Sequence, residues 1–257
     1  MPTALVTGAT AGIGESFTRL LAAKGYDLVL VARDKKRLQE RAAFLTKNYK
    51  ISAEVLVADL SIPAQLARVE KRLSNLKKPI EVLINNAGFG LKDSFLTSEV
   101  ESESNLLDVL VAAPMRLTHS VLPQMRTRNS GVIINVSSVA SWIAGGTYSA
   151  AKSYLTVFSE SLHTELRRTK IQVHALCPGF THTEFHARGK MKMTGLPDFL
   201  WLEADDVVKE AWNRAIAGKV ISVPGWQYKI LSTIARFGPR PLVRKAGINV
   251  RARQRNR

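Results

Sequence analysis

Ala4-Leu5-Val6-Thr7-Gly8-Ala9-Thr10-Ala11-Gly12-Ile13-Gly14 runs from a short buried-strand segment, Ala4–Thr7, through a glycine-rich turn into a helical pattern over Ile13–Lys24. Glycine lets the backbone turn tightly and lets a ligand approach it closely. The helix N-terminus beyond the turn offers free N–H groups and a partial positive charge, which suits a pyrophosphate. The spacing G-x-x-x-G-x-G differs from the G-x-G-x-x-G dinucleotide fingerprint, and many strand-to-helix turns use glycine for shape alone. Its position directly after a first strand favours the phosphate reading.

Outward from this turn, β-branched runs alternate with helical patterns for some 220 residues. Strands are expected at Tyr26–Ala32, Ala53–Ala58, Glu81–Asn85, Gly131–Val136, Ile171–Cys177 and Val220–Val223. Helices are expected at Asp34–Asn48, Pro63–Leu76, Glu103–Arg128, Tyr148–Arg168 and Ala204–Ala217, with a kink at Pro114 in the longest. Repeated βα units with near-continuous apolar strands imply an α/β fold: a doubly wound, Rossmann-like parallel sheet covered on both faces. Ligands bind such sheets at the C-terminal strand ends. Residues 1–224 are expected to form one nucleotide-binding and catalytic domain, and residues 225–257 a basic amphipathic extension.

Composition bounds the function. Hydrophobic residues make up 46% of the 257-residue chain, too many for a disordered protein. The single cysteine, Cys177, excludes an internal disulfide and fits a reducing, cytoplasmic compartment. There is neither a signal-peptide pattern at the N-terminus nor an apolar run of about 18 residues, so a membrane span is not expected. The net charge of +16 is unevenly placed: Gly225 to Arg257 holds nine basic residues and no acidic one.

The octet Thr7–Gly14 resembles the TGxxxGxG turn of short-chain dehydrogenases/reductases, and further marks of that family follow in order. They are Asp59-Leu60 after the third strand, Asn85-Asn86-Ala87-Gly88 after the fourth, Ser138, Tyr148-x-x-x-Lys152, and Pro178-Gly179 after the sixth. The resemblance spans roughly residues 3–224. It implies coenzyme contacts from Gly8, Thr10, Gly12, Ile13 and Gly14, from Asp59 and Leu60 near the adenine, and from Asn86, Ala87 and Gly88. It implies further contacts from Tyr148 and Lys152 and from Pro178, Gly179, Thr181 and Thr183. Taken alone, Asp59 reads better as a helix N-cap.

Strand two ends Val31-Ala32-Arg33-Asp34. A carboxylate at this strand end would bind the ribose 2′-hydroxyl of NAD, whereas an arginine suits a 2′-phosphate through paired N–H donors. NADP(H) rather than NAD is therefore expected, with Arg33 on the phosphate and Lys35, Lys36 and Arg37 adding positive potential. A solvated helix start capped by Asp34 is the plainer alternative.

Tyr148 and Lys152 lie four apart, on one helix face. An ammonium ~4 Å from a phenol contributes ~4 kcal/mol at an effective dielectric of ~20, enough to lower the tyrosine pKa by ~3 units. The resemblance implies catalysis by Ser138, Tyr148 and Lys152: an oxidoreductase passing a hydride between NADP(H) and a carbonyl or alcohol. Leu110 stands where the family usually has an active-site asparagine, and Asn105 lies about 140° around the helix from it. Ser138 and Tyr148 are ten apart rather than nearer thirteen, so the intervening loop is expected to reshape the substrate mouth near Trp142. A catalytically weak NADP(H)-binding sensor or scaffold is the rival reading, and Leu110 is its support.

Phe185, Met191, Met193, Leu196, Phe199, Leu200 and Trp201 make the segment after Pro178-Gly179 apolar, which fits a hydrophobic carbonyl substrate or simple packing of a lid. His182, Glu184 and His186 lack a clear further ligand, so no metal is expected. Pro197–Leu202 and the C-terminal stretch are similar to actinobacterial family members, some of which reduce β-keto acyl lipids. On a helical wheel, Trp226, Ile230, Leu231, Ile234 and Phe237 share one face and Lys229, Ser232, Thr233 and Arg236 the other. This pattern fits an interfacial helix on an anionic membrane surface, such as an inner membrane face, or a helix packed on the protein's own body or a partner subunit. Nucleic acid is not expected, because few aromatics interleave the terminal arginines. The resemblance also implies a homodimer or homotetramer.

Overall fold

The computed structural model describes residues 1–185, 189 and 197–245. Seven parallel strands form one sheet in the order β3-β2-β1-β4-β5-β6-β7. They are β1 (Thr3–Thr7), β2 (Asp27–Ala32), β3 (Ala53–Val57), β4 (Val82–Asn85), β5 (Gly131–Val136), β6 (Ile171–Leu176) and β7 (Ile221–Ser222). The order reverses between β1 and β4, so a crevice opens at their C-terminal ends, the usual ligand site of such sheets.

Helices α1 (Gly12–Ala23), α2 (Lys35–Tyr49) and α7 (Ala204–Ile216) cover one face of the sheet through Phe17, Leu21, Leu38, Leu45, Val207 and Trp212. Helices α3 (Pro63–Leu73), α5 (Ala113–Arg128) and α6 (Thr147–Glu165) cover the other through Leu66, Val69, Leu117, Val121, Met125 and Leu162. Each fully buried side chain of this size contributes about 1.5–3 kcal/mol. The doubly wound parallel sheet expected from the alternating pattern is the observed fold. The sequence-expected elements differ from the observed ones mainly by a few residues at their ends.

The long helix expected over Glu103–Arg128 is broken differently from a simple proline kink. Helix α4 (Val100–Leu107) passes through a π-helical turn, Asp108–Ala112, into α5, with Pro114 in the first turn of α5. Proline has no N–H to return to the carbonyl four residues back, here that of Leu110, so the ladder widens just before it. A last helix, α8 (Trp226–Phe237), follows β7, and residues 240–245 begin a further helical turn. Among the described residues no helix is long and apolar enough to cross a membrane.

Candidate active site

A cavity of about 1460 Å³ runs along the C-terminal strand ends, from the glycine turn to α8. The turn between β1 and α1 is held by its neighbours. Gly8 has φ +66°, and a Cβ there would sit 2.7 Å from the Asn86 side-chain nitrogen. Asn86 Nδ2 donates to the carbonyls of Thr7 (2.9 Å) and Gly8 (3.2 Å), while Thr7 Oγ1 accepts from the backbone N–H groups of Asn86 and Ala87. The Asn85-Asn86-Ala87-Gly88 turn therefore buttresses the glycine turn. Asn85 also ties β4 to β5 by donating to Asn135 Oδ1 at 2.8 Å. Gly8, Thr10, Gly12 and Ile13 line the cavity, as do Asn86, Ala87 and Gly88. Gly14 lies behind this wall, where a Cβ would collide with the Gly8 carbonyl oxygen at 2.2 Å.

At the β2 and β3 ends, Arg33, Asp59 and Leu60 line the same cavity. Asp59 is not a helix cap, since the N-cap of α3 is Ile62. Its Oδ1 accepts instead from the Ser61 N–H (3.0 Å) and hydroxyl (2.7 Å), and its Oδ2 is 3.7 Å from Arg33 Nη1. Burial works against the Asp59 carboxylate, but Ser61 and Arg33 outweigh it and hold the group below the usual carboxylate range. Asp34 does cap α2, accepting from the Arg37 N–H at 3.0 Å. Arg33 is left with 73% of its side chain exposed. Arg37 reaches across the cleft to Glu184 and also donates to the Thr10 carbonyl.

Ser138, Tyr148 and Lys152 meet in the middle of the cavity. Ser138 follows β5 and opens a short 3₁₀ turn, Val139–Trp142, with its Oγ accepting from the Ala140 N–H at 3.1 Å. Gly146, with φ +78°, swings the chain into α6, so the ten-residue spacing still brings the Ser138 hydroxyl onto Tyr148. Lys152 is buried; its Nζ donates to the Val136 carbonyl at 2.7 Å and lies 5.7 Å from the centre of the Tyr148 ring. The lowering of the tyrosine pKa expected from the four-residue spacing is not what this geometry gives. Burial pushes the Tyr148 hydroxyl up to about 12, against a smaller opposing effect of the Ser138 hydrogen bond. Burial likewise pulls Lys152 down to about 8. The ammonium donates to a backbone carbonyl and is buried in the cavity wall.

Leu110 is fully buried with Leu106 and Ala151, next to Tyr148, and a Cβ on Gly88 would lie 2.8 Å from its Cδ2. Asn105 lines the cavity from α4. Beyond β6, Pro178, Gly179, Thr181 and Thr183 line the cavity, with Phe180 and Phe185. His182 stacks on Trp201 with ring centres 4.7 Å apart. Phe199 and Trp201 lie in the described part of the apolar segment, whereas Met191, Met193, Leu196 and His186 lie outside the described residues.

A family model described as short chain dehydrogenase matches residues 2–193. This chain belongs to the short-chain dehydrogenase family. It is similar to a short-chain dehydrogenase from Sphingobium yanoikuyae solved in complex with NADPH, at 34% identity and a TM-score of 0.84, covering 91% of this chain and 93% of that one. A bulky-bulky ketone specific alcohol dehydrogenase from Comamonas testosteroni is 30% identical, with a TM-score of 0.80 and 91% of each chain covered. The very-long-chain 3-oxoacyl-CoA reductase of Anas platyrhynchos is 29% identical over 97% of this chain and 81% of its own length.

As a short-chain dehydrogenase the protein is an oxidoreductase working with a pyridine nucleotide, and the crevice fits one. The Cβ positions forbidden at Gly8 and Gly12 leave bare backbone at the head of α1, and cationic Arg33 waits at the end of β2. Two parts of the short-chain dehydrogenase site were missed by sequence reasoning. One is the Arg37–Glu184 pair, whose members are 147 residues apart. The other is Tyr228, whose ring fills the space where Gly179 would carry a Cβ, at 2.0 Å. Its hydroxyl donates to the Leu200 carbonyl (2.6 Å) and accepts from the Phe180 N–H (3.0 Å). Tyr228 sits opposite the apolar stripe on the α8 wheel, but a wheel names no partner.

Proposed function

We propose that this protein is an NADP(H)-dependent carbonyl reductase for bulky apolar ketones, aldehydes or β-keto acyl compounds. The observation that carries the proposal is the convergence of Ser138, Tyr148 and Lys152 in one cavity with the Gly8–Gly12 cradle. Arg33 at the far end, with its side chain largely exposed, favours the coenzyme with a 2′-phosphate. When bound, the nicotinamide supplies the hydride. Ser138 orients the carbonyl oxygen by hydrogen bonding, and Tyr148 gives it a proton. Tyr148, its pKa pushed up to about 12 by burial, is in the protonated form at neutral pH, the form that can donate. Lys152 lies beneath Tyr148 and stabilises the phenolate left after proton transfer.

The substrate end supports an apolar ligand, because Phe89, Leu91, Phe185, Leu231, Ile234 and Leu242 line it. The names of the duck and Comamonas relatives agree with a large carbonyl compound. A homodimer or homotetramer would form through the outer faces of α5 and α6, where Met115, Tyr154 and Val157 are exposed.

NADPH consumption against a panel of ketones, aldehydes and β-keto thioesters tests the reading. Tyr148→Phe is expected to lower turnover by about 10²- to 10⁴-fold with little change in NADPH affinity. Undiminished turnover in that variant would remove Tyr148 from the mechanism. Tight NADPH binding without turnover on any of these compounds would favour a sensor or scaffold.

A further inference from the structure

Helix α8 is turned the wrong way round for a helix of a soluble domain. Its buried residues are Gln227, Tyr228 and Ser232, while Trp226, Ile230, Ile234 and Phe237 are 68, 53, 60 and 80% exposed. At 100° per residue, Trp226, Ile230 and Phe237 fall within about 40° of one another, on the side away from Tyr228 and Ser232. Gly179, Leu200 and Phe199 receive the inner face: the Tyr228 ring fills the Gly179 notch, and Gln227 Nε2 donates to the Phe199 carbonyl at 2.8 Å. The helix is thus seated by polar contacts and presents its apolar stripe outward. Leu242, 65% exposed, extends the stripe beyond the helix.

We propose that this face docks on an anionic lipid bilayer. The charge around it is what identifies the occupant. The described residues 225–245 carry five basic side chains, Lys229, Arg236, Arg240, Arg244 and Lys245, and no carboxylate side chain. Lys229 pairs with Glu210 at the edge of the helix, and Arg236 lies over the Trp142 ring at 5.3 Å; Arg240, Arg244 and Lys245 follow just past the stripe. Exposed tryptophan, isoleucine and phenylalanine beside a band of cations match a surface with a hydrocarbon interior and anionic headgroups. A second copy of the chain would bring the same excess of cations, Arg236, Arg240, Arg244 and Lys245, to the contact and be repelled. The face is also distinct from the α5 and α6 surface.

The position of the stripe gives docking a purpose. Leu231, Ile234 and Leu242 line the cavity and are at least half exposed, so the apolar end of the cavity opens beside the docking face. An apolar carbonyl compound dissolved in the bilayer would enter between them without crossing water. This second step rests on the carbonyl-reductase reading; the docking itself does not.

The full chain is mixed with vesicles of phosphatidylcholine alone or with phosphatidylglycerol, and sedimented. Binding to the anionic vesicles is expected to be at least about tenfold stronger and to fall with added salt. The triple change Trp226→Glu, Ile230→Glu and Phe237→Glu, at positions outside the cavity, is expected to abolish binding. It should leave NADPH affinity and the reduction of a water-soluble ketone unchanged, which shows that the variant is folded. Changing Arg240, Arg244 and Lys245 to alanine is expected to weaken the anionic preference with the apolar stripe intact. Failure to bind either vesicle, or equal binding of wild type and the glutamate variant, overturns the proposal. So does a concentration-dependent dimer that the glutamate variant dissolves. Because ketone reduction is read separately, loss of docking with activity retained leaves the enzymatic reading standing.

Discussion

Glu184 clasps Arg37 through two hydrogen bonds of 2.9 and 2.7 Å, joining the segment after β6 to the first turn of α2 across the coenzyme crevice. The pair keeps the Arg37 guanidinium even more firmly protonated than usual, with the Glu184 hydrogen bond as the main cause. If the coenzyme is NADP(H), as proposed, the pair also occupies the second cation that a 2′-phosphate would meet. Glu184→Gln should therefore release Arg37 and strengthen NADPH binding severalfold while leaving NADH nearly unchanged. Fluorescence titration of the two coenzymes checks this, and an equal shift for both would speak against a competition for Arg37.

Arg33 differs from Arg37 in having only a long contact to Asp59 and a largely exposed side chain. A charge-assisted hydrogen bond contributes about 1.5–3 kcal/mol, so Arg33→Ala should weaken NADPH by about tenfold or more. NADH affinity should change little. A variant that still prefers NADPH as strongly as the wild type would move the phosphate site elsewhere.

Lys152, with its pKa pulled down to about 8 by burial, is charged below that pH and neutral above it. In the proposed mechanism the cation supports the proton transfer from Tyr148, so kcat/KM for reduction should fall as pH rises through ~8. A profile that stays flat there, and bends only near the higher value of Tyr148, would show that the charge of Lys152 is not needed.

His174 offers a stability test remote from the chemistry. It is fully buried between β6 and β7, with Nδ1 2.6 Å from the Lys219 carbonyl and Nε2 2.7 Å from Ser222 Oγ. Burial, the largest influence, depresses its pKa from 6.5 to about 4. The unfolded chain binds the proton first as pH falls, so this contribution is complete above the unfolded value and is lost progressively from pH 6.5 down to about 4. The shift corresponds to roughly 3 kcal/mol. Denaturant unfolding across that range should show the loss, and His174→Gln should flatten it.

Leu110 is a buried apolar residue beside Tyr148, packed on Leu106, Ala151 and Gly88. Leu110→Asn would place an amide in that pocket and should cost about 1–3 kcal/mol of stability unless it finds partners. A thermal melt of the variant reads this directly; an unchanged melting temperature would mean that the pocket holds polar partners for it.

The parts legible from sequence are those with local causes. The glycine turn and the strand runs repeat patterns that a few adjacent residues define, and Tyr148 and Lys152 share a face because α6 is regular. Pairings made by tertiary closure were not legible. Asn86 reads as a turn residue until Gly8 is beside it, and nothing local in Glu184 points to Arg37. The pKa argument failed for a related reason: spacing gives the Tyr148–Lys152 separation, but burial, which dominates both groups, depends on everything packed around them. The π turn was hidden because Pro114 reads as a kink, while the widened ladder lies before it, at Asp108–Ala112.

The seating of Tyr228 in the Gly179 notch bears on how adhesion and catalysis can be separated. Removing the chain from residue 225 onward would strip a wall from the substrate cavity and leave the Phe180 N–H and the Leu200 carbonyl without their phenol partner. A shortened protein that neither adheres nor turns over would therefore be ambiguous, since one cut disables two devices.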